Sequence, residues 1–116
     1  MIIERENGTV LEIGQPVIYV SMDLNEPYTD HYGVITDIDE QVTVKLICDR
    51  QGKETAGTLT RPNTWIHPVS KFQLEEARDM FAVYGSEILK EVIRLVEMYN
   101  TDRQARQRAL FEEEND

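Results

Sequence analysis

Apolar and polar residues alternate in short runs through the first sixty positions of the chain. The two clearest runs cover residues 33–38 and 42–47, and Asp39-Glu40-Gln41 connects them. Because successive side chains of a β-strand point to opposite faces, this two-residue period predicts a hairpin with one buried face. Shorter runs predict four further strands, at residues 2–5, 9–13, 17–20 and 58–60.

The segments between these runs contain the residue types that form turns. Asn7-Gly8 separates the first two runs, which is a strong hairpin signal because both residues tolerate a positive φ. Pro27 prevents regular pairing in the loop from Asp23 to His31. Five or six short strands with tight turns usually curl into a small barrel, which removes exposed strand edges. The pattern therefore predicts a small antiparallel barrel over residues 1–69.

Near Ser70 the period changes to that of an α-helix. Ser70 and Gln73 have the spacing of a capping box, which predicts a helix start. Phe81, Ile88 and Leu95 then repeat every seven residues. This repeat predicts one apolar helix face that extends to about residue 99.

Two interruptions divide the helical region. Gly85-Ser86 predicts a kink or a short break. Thr101 and Gln104 have the spacing of a second capping box, which predicts a final helix from about 102 to 113. The chain is thus predicted to be an α+β protein. Its barrel is followed by two or three helices, over residues 70–116, that pack on the barrel or mediate dimerisation.

Charge narrows the range of partners for such a protein. The net charge is −10, and no Lys or Arg lies between Arg5 and Lys45. A surface of this kind repels phosphate backbones, so direct nucleic-acid binding is not expected. It permits a basic protein partner, or mimicry of DNA toward a DNA-binding protein. The plainer alternative is an acidic surface that only aids solubility.

Length and composition are those of a small cytoplasmic protein. The 116 residues fall within the usual size of one domain. No apolar run approaches the roughly 20 residues that span a bilayer, and MIIERENG lacks the features of a secretory signal. Cys48 is the only cysteine, so neither an intrachain disulfide nor a cysteine-based zinc site can form. We therefore expect a cytoplasmic protein with no membrane partner.

The first part of the chain resembles SH3-like small barrels. The resemblance rests on IGQPVIYVSM, a loop with a proline, and then YGVITDID, EQVTVKLI and TWIHPV. KOW, Tudor and related domains share a strand that enters after Gly, followed by the patterns GxIxxI and xVxV. The chain is also similar to SH3-like domains encoded by bacteriophages and to the RNA-polymerase-interacting domain of CarD-type regulators. The resemblance covers about residues 9–69. It implies a binding module, since SH3-like barrels mostly bind and rarely catalyse.

The loop before the central hairpin is the best candidate for a binding site. Its tyrosines supply contact area, and its carboxylates would select a basic partner. The lone tryptophan, at the junction of barrel and helix, is a further aromatic candidate. The alternative for these residues is a structural role, in a loop that closes the barrel and in the core. The predicted partner-binding residues are Glu26, Tyr28, Asp30, Tyr32, Asp37, Asp39, Glu40 and Trp65.

Catalytic, metal-binding and cofactor-binding patterns are not found in the sequence. Asp30 and His31 are adjacent, which on a strand places them on opposite faces. Asp37, Asp39 and Glu40 lack the spacing of an EF-hand loop. No nucleotide-binding, zincin or nucleophile-elbow motif is present. We therefore expect a protein that is not an enzyme and that uses no metal or cofactor.

The helical region offers a way to oligomerise. Its apolar stripe is first of all a core face, but the stripe is longer than a small barrel can cover, which leaves apolar surface for a homodimer. The final helix carries two large apolar residues on a mostly charged cylinder, and these could anchor it on a second subunit or on a partner. The predicted oligomerisation residues are Phe81, Ile88, Leu95, Leu110 and Phe111.

Two hypotheses for function follow. The first is an acidic binding protein, of phage or mobile-element origin, that inhibits a host protein by occluding a basic or nucleic-acid-binding surface. The second is an accessory factor that docks on RNA polymerase or the ribosome through the barrel. CarD-type regulators carry a DNA-binding helical region, whereas residues 70–116 here contain seven Lys or Arg against eleven Asp or Glu. This balance argues against DNA contact and leaves protein docking open.

Overall fold

The computed structural model describes residues 2–21, residue 25 and residues 30–114, with side chains described as far as residue 110. Seven strands followed by two helices make these residues an α+β fold. The strands are β1 (Ile2–Glu4), β2 (Val10–Glu12), β3 (Pro16–Tyr19), β4 (His31–Ile38), β5 (Val42–Asp49), β6 (Thr58–Arg61) and β7 (Ile66–Pro68). The helices are α1 (Lys71–Tyr84) and α2 (Glu87–Glu114).

The strands pair in two antiparallel sheets. β1 and β2 form a two-stranded sheet, and the other five strands form a sheet in the order β6-β5-β4-β3-β7. All six strands predicted from the sequence are present, and β7 is the one that the pattern missed. The strands in the described part of the chain do not close into a barrel.

The β1–β2 hairpin differs in detail from the predicted tight turn. The Arg5 amide donates to the Thr9 carbonyl (2.8 Å) and the Gly8 amide donates to the Arg5 carbonyl (3.0 Å), so three residues lie between the last bonded pair, Arg5 and Thr9. The predicted hairpin is present, with a φ of 83° at Gly8 and no positive φ at Asn7. The Arg5 guanidinium donates to the Ile66 carbonyl (2.5 Å) and thereby ties the hairpin to β7.

Two irregularities bend the long β4–β5 hairpin. The pairing register shifts between Tyr32 and Gly33 and again between Ile35 and Asp37. Such bulges bend and twist a strand pair locally. Gly33 lies at the first shift, where an added Cβ would be 2.5 Å from the Val44 Cγ1 and 2.6 Å from the Lys45 carbonyl oxygen. A glycine is therefore required here by close backbone approach.

The five-stranded sheet separates two apolar cores. Its inner face packs against the β1–β2 hairpin, through residues that include Leu11 of β2 and Ile35 of β4. Its other face, called the outward face below, carries Ile18, Tyr32 and Cys48 and packs against α1 and α2. The helices contribute a second group of buried residues, namely Leu74, Ala77, Leu89, Val92, Ile93 and Val96.

Local capping sets the helix ends at residues 70 and 85–86. The Gln73 amide donates to the Ser70 Oγ (3.1 Å) and the Ser70 amide donates to the Gln73 Oε1 (2.9 Å), which confirms the predicted capping box. Gly85 ends α1 in the left-handed conformation, with a φ of 66°. The Leu89 amide donates to the Ser86 Oγ (3.2 Å) at the start of α2. The predicted break at Gly85-Ser86 is confirmed.

The prediction of a third helix was wrong, because α2 runs unbroken through Asn100 and Thr101. Asn and Thr lose only a few tenths of a kcal/mol in a helix interior relative to better helix formers. Here a tertiary contact spans them: the Glu12 Oε1 accepts from the Tyr99 hydroxyl (2.7 Å) and from the Arg106 Nη2 (2.9 Å). Tyr99 and Arg106, which lie on either side of the expected break, are therefore both bonded to β2, and the helix continues between them.

The same contact shifts the pKa of two groups. Hydrogen bonds from Arg106 and then from Tyr99 hold the pKa of the Glu12 carboxyl below its ordinary value. Burial, together with the bond to Glu12, raises the pKa of Tyr99 to about 12. The Glu12 side chain is only 16% exposed, so these are bonds to a largely covered carboxylate.

We expect Glu12→Gln to destabilise the protein by about 1–2 kcal/mol at neutral pH, because a hydrogen-bonded charge is lost. The folded-state pKa of Glu12 is lowered, so its contribution is present above the unfolded-state pKa and is lost as the pH falls through the folded-state value. Urea denaturation of both proteins at pH 7 and at about pH 3 should show the difference shrinking. Glu4→Gln, an exposed carboxylate of the same hairpin, is the control and should cost under about 0.5 kcal/mol. A difference that does not change with pH would contradict this account.

Candidate functional site

Three exposed carboxylates lie at the turn of the longest hairpin. Asp37 is near the end of β4, and Asp39 and Glu40 lie between β4 and β5. The Asp39 amide donates to the Gln41 carbonyl (2.9 Å), which keeps the connection tight. These three residues are called the acidic turn below. Strand pairing on both sides holds it, so its charges are presented by a well-defined backbone.

Asp30 lies at the opposite end of β4 from the acidic turn. Asp37 is seven positions further along the chain, a distance of about 23 Å at the usual rise per residue. The Asp30 backbone has a φ of 60°, and its Oδ2 is 4.0 Å from the Arg50 Nη1. Arg50 also pairs with Glu76 of α1. Asp30 therefore belongs to an ion-pair group at the helical side of the sheet and does not join the acidic turn.

The two predicted aromatic anchors that the structure describes are covered to different degrees. Tyr32 is 2% exposed within the core beneath the helices, so its ring does not reach the surface. Burial is also the main cause that raises the pKa of its hydroxyl. Trp65 is half-buried against the inner core, and its ring centroid lies 6.3 Å from that of Tyr19. Glu26 and Tyr28 lie outside the described residues.

The predicted oligomerisation residues that the structure describes lie at different places along α1 and α2. Phe81 is half-buried between α1 and α2. Ile88 and Leu95 are half-buried where α2 crosses the sheet. Leu110 is 61% exposed near the end of α2. The side chain of Phe111 lies outside the described part of the structure.

Two open grooves run along α2 at its crossing with the sheet, and sequence reasoning missed both. One, of about 380 Å³, is lined by Gly14, Pro16, Val34, Leu95, Met98, Tyr99 and Asp102. The other, of about 360 Å³, is lined by Lys45, Leu46, Ile47, residues 54–57, Ile88 and Glu91. The sequence signal that could have indicated them is the three- and four-residue spacing of Ile88, Glu91, Leu95, Met98 and Asp102.

The only cysteine and one of the two histidines are covered. Cys48 is fully buried, and burial raises the pKa of its thiol to about 12, so the nucleophilic thiolate is not formed near neutral pH. Burial, and then the charge of Arg5, lowers the pKa of His67. Within the described ranges, no group of three or more His, Cys, Asp or Glu is placed to hold a metal ion. Neither helix, as far as it is described, is long and apolar enough to cross a membrane.

Fold and surface together define a small α+β protein with an acidic hairpin turn and an open groove beside its second helix. No family model, no curated protein and no solved structure matches the chain.

Proposed function

We propose that the chain is an acidic binding protein that covers a basic, nucleic-acid-binding surface of another protein. The acidic turn carries this proposal, because it places three exposed carboxylates within four residues. Lys and Arg groups that bind phosphates also form charge-assisted hydrogen bonds with carboxylates. Since paired strands already order the turn, little conformational entropy is lost there on binding.

The net charge of the chain supports the same function. A charge of −10 attracts a basic partner at long range, which raises the association rate at low salt. Buried Cys48 and half-buried His67 leave few groups for chemistry on a bound molecule. The net charge and the covered reactive side chains therefore favour binding without turnover.

The SH3-like resemblance of residues 9–69 adds support for a binding role. Its similarity to bacteriophage-encoded domains favours a host protein as the partner and inhibition by occlusion as the mechanism. Resemblance of fold does not itself assign a partner, so the acidic turn remains the basis of the proposal.

Charge reversal of the acidic turn tests this function. We expect the variant Asp37→Lys/Asp39→Lys/Glu40→Lys to lose capture of basic, nucleic-acid-binding proteins from nuclease-treated bacterial lysate, because three attractive charges become repulsive. Quantitative mass spectrometry of the captured proteins is the measurement. Added duplex DNA should release these proteins from the unaltered chain, since it competes for the same basic surface.

The matched control is Glu75→Lys/Asp79→Lys/Glu87→Lys, which makes the same change in net charge at exposed helical positions. It should capture the same proteins as the unaltered chain. Equal loss in both triple variants would show a dependence on net charge alone, and unchanged capture by the acidic-turn variant would remove the proposed mechanism.

A further inference from the structure

The helices cover only part of the outward face of the sheet. Residues that are directly opposite in an antiparallel pair lie on the same face. Ile18 pairs with Tyr32 beneath the helices, and Pro16 pairs with Val34 two residues away on the same face. Val34 pairs with Lys45, which in turn pairs with Thr58. Pro16 is buried, whereas Val34 is half-buried and Lys45 and Thr58 are exposed, so the outward face continues past the helices on β4, β5 and β6.

One flank of α2 forms a wall beside this uncovered part of the sheet. Side chains three or four residues apart lie on one side of a helix. Five such residues line the two grooves described above and span about 21 Å of helix. They are Ile88, Glu91, Leu95, Met98 and Asp102.

The two grooves form one continuous surface, which we call the α2 groove. On the helix side, Glu91 of one groove and Leu95 of the other are four residues apart and so are neighbours. On the sheet side, Lys45 of the first groove is paired directly with Val34 of the second. The combined surface lies beside α2 on the outward face of the sheet, the same face on which α1 and α2 pack.

We propose that the α2 groove binds an amphipathic, basic α-helix of the partner protein. This inference rests on the proposed function and names the surface and the partner element that carry it. The apolar part of the groove is narrow, with Leu95 and Met98 on the wall and Val34 on the floor. The sheet beyond it carries threonines and a lysine. A helix with one apolar stripe at three- and four-residue spacing matches that distribution.

The charges around the α2 groove select a basic helix. Glu54, Glu91 and Asp102 line it against one cation, Lys45. Asp37 of the acidic turn follows Val34 by three residues on β4, which places it about 10 Å away. The register shift between Ile35 and Asp37 returns Asp37 to the same face as Val34. Two of the carboxylates already have neighbours, since the Arg94 Nε is 2.9 Å from Glu91 and the Arg106 Nε is 3.5 Å from Asp102. Exposed pairs of this kind are weak, so a partner's lysines can add to them.

The groove between α1 and α2 is a poorer candidate. Arg78 on α1 and Glu97 on α2 bridge it with an ion pair of 2.7 Å. A helix that entered there would have to separate this pair. No such bridge is described between α2 and the floor of the α2 groove at Val34 and Lys45.

A defined peptide tests the proposal. The probe is a fluorescein-labelled helix of about 18 residues, with leucines at three- and four-residue spacing and lysines elsewhere. Its binding to the unaltered chain is followed by fluorescence anisotropy. Met98→Lys should weaken binding about tenfold or more, because an apolar contact is removed and a like charge is added. Val83→Lys makes the same chemical change at an exposed site of α1 and should leave the affinity within about twofold.

Two further peptides test the chemistry of the occupant. A peptide with glutamate in place of lysine should bind more weakly, and so should one with the same composition and scrambled leucine positions. Equal affinities of the Met98→Lys and Val83→Lys variants would overturn the proposal, as would absence of saturable binding to the unaltered chain.

The outcomes separate this inference from the proposed function. Loss of lysate capture in the acidic-turn variant, with no difference between the two lysine variants, would retain the function and reject the α2 groove. A groove-dependent affinity for the peptide, with unchanged capture by the acidic-turn variant, would retain the groove as a helix-binding site and reject the proposed function.

Discussion

Gly52→Ala should lower the free energy of unfolding by about 3–4 kcal/mol, roughly 2 kcal/mol more than Gly14→Ala. The two glycines have nearly the same φ, 90° and 89°, so alanine meets similar strain in this dihedral angle at both. That strain is about 1–2 kcal/mol. The surroundings differ. A Cβ on Gly52 would lie 2.4 Å from the Ser86 side chain and 3.0 Å from the Leu89 Cβ, whereas nothing lies within 4 Å of a Cβ on Gly14.

The difference between the two variants isolates a contact between sheet and helix. The Ser86 Oγ donates to the Gly52 carbonyl (2.6 Å) and also accepts from the Leu89 amide, so the β5–β6 connection rests on the start of α2. Urea denaturation followed by circular dichroism gives both free energies. Equal costs for the two alanine variants would contradict the close approach of Gly52 to Ser86.

Leu89→Ala should cost about 2–5 kcal/mol, whereas Leu110→Ala should cost under about 0.5 kcal/mol. Both leucines are on α2 and both variants remove the same atoms. Leu89 is 0% exposed in the core between the helices and the outward face of the sheet, and Leu110 is 61% exposed. Burial alone therefore separates the two outcomes.

The same pair tests whether α2 and the sheet unfold together. Thermal unfolding of Leu89→Ala should be a single transition at a lower Tm, followed equally by helix signal at 222 nm and by tyrosine and tryptophan absorbance. Two separated transitions, or similar costs for the two leucines, would show that the helices contribute little to the stability of the sheet.

Local signals in the sequence predicted much of this fold. The central hairpin, the Ser70 capping box and the break at Gly85-Ser86 all depend on residues a few positions apart. For such features the interacting residues are near neighbours in the sequence, so the pattern of side chains identifies the interaction that fixes the structure. The acidic turn could be located in the same way, because Asp39 and Glu40 lie between two strongly alternating runs.

Features set by distant contacts could not be predicted. The continuity of α2 through Thr101 depends on Glu12, which is far away in the sequence. β7 is fixed by pairing with β3, which is far away in the sequence, and no hairpin turn joins the two strands to indicate this. The α2 groove likewise needs the crossing of α2 over the sheet. Its residues, such as Leu95 and Val34, come from elements that the sequence does not place side by side.

The burial of Tyr32 illustrates the limit for binding sites. An aromatic residue at the start of a strand can face a partner or a core, and the pattern of residues 30–38 fits both. The docking of α1 and α2 on the outward face decides between them. The candidate contacts with a partner protein are therefore the acidic turn and the flank of α2 rather than Tyr32.

Amide chemical shifts of the isotopically labelled chain, recorded as the leucine–lysine peptide is added, show which residues the basic helix contacts. We expect the largest changes at Leu95 and Met98 of the groove wall, at Val34 of its floor and at Asp39 of the acidic turn. Phe72 and Val83 on the exposed side of α1 should change little. Changes of similar size on that side of α1, or changes absent from the groove, would contradict an acidic protein that binds a basic helix at this surface.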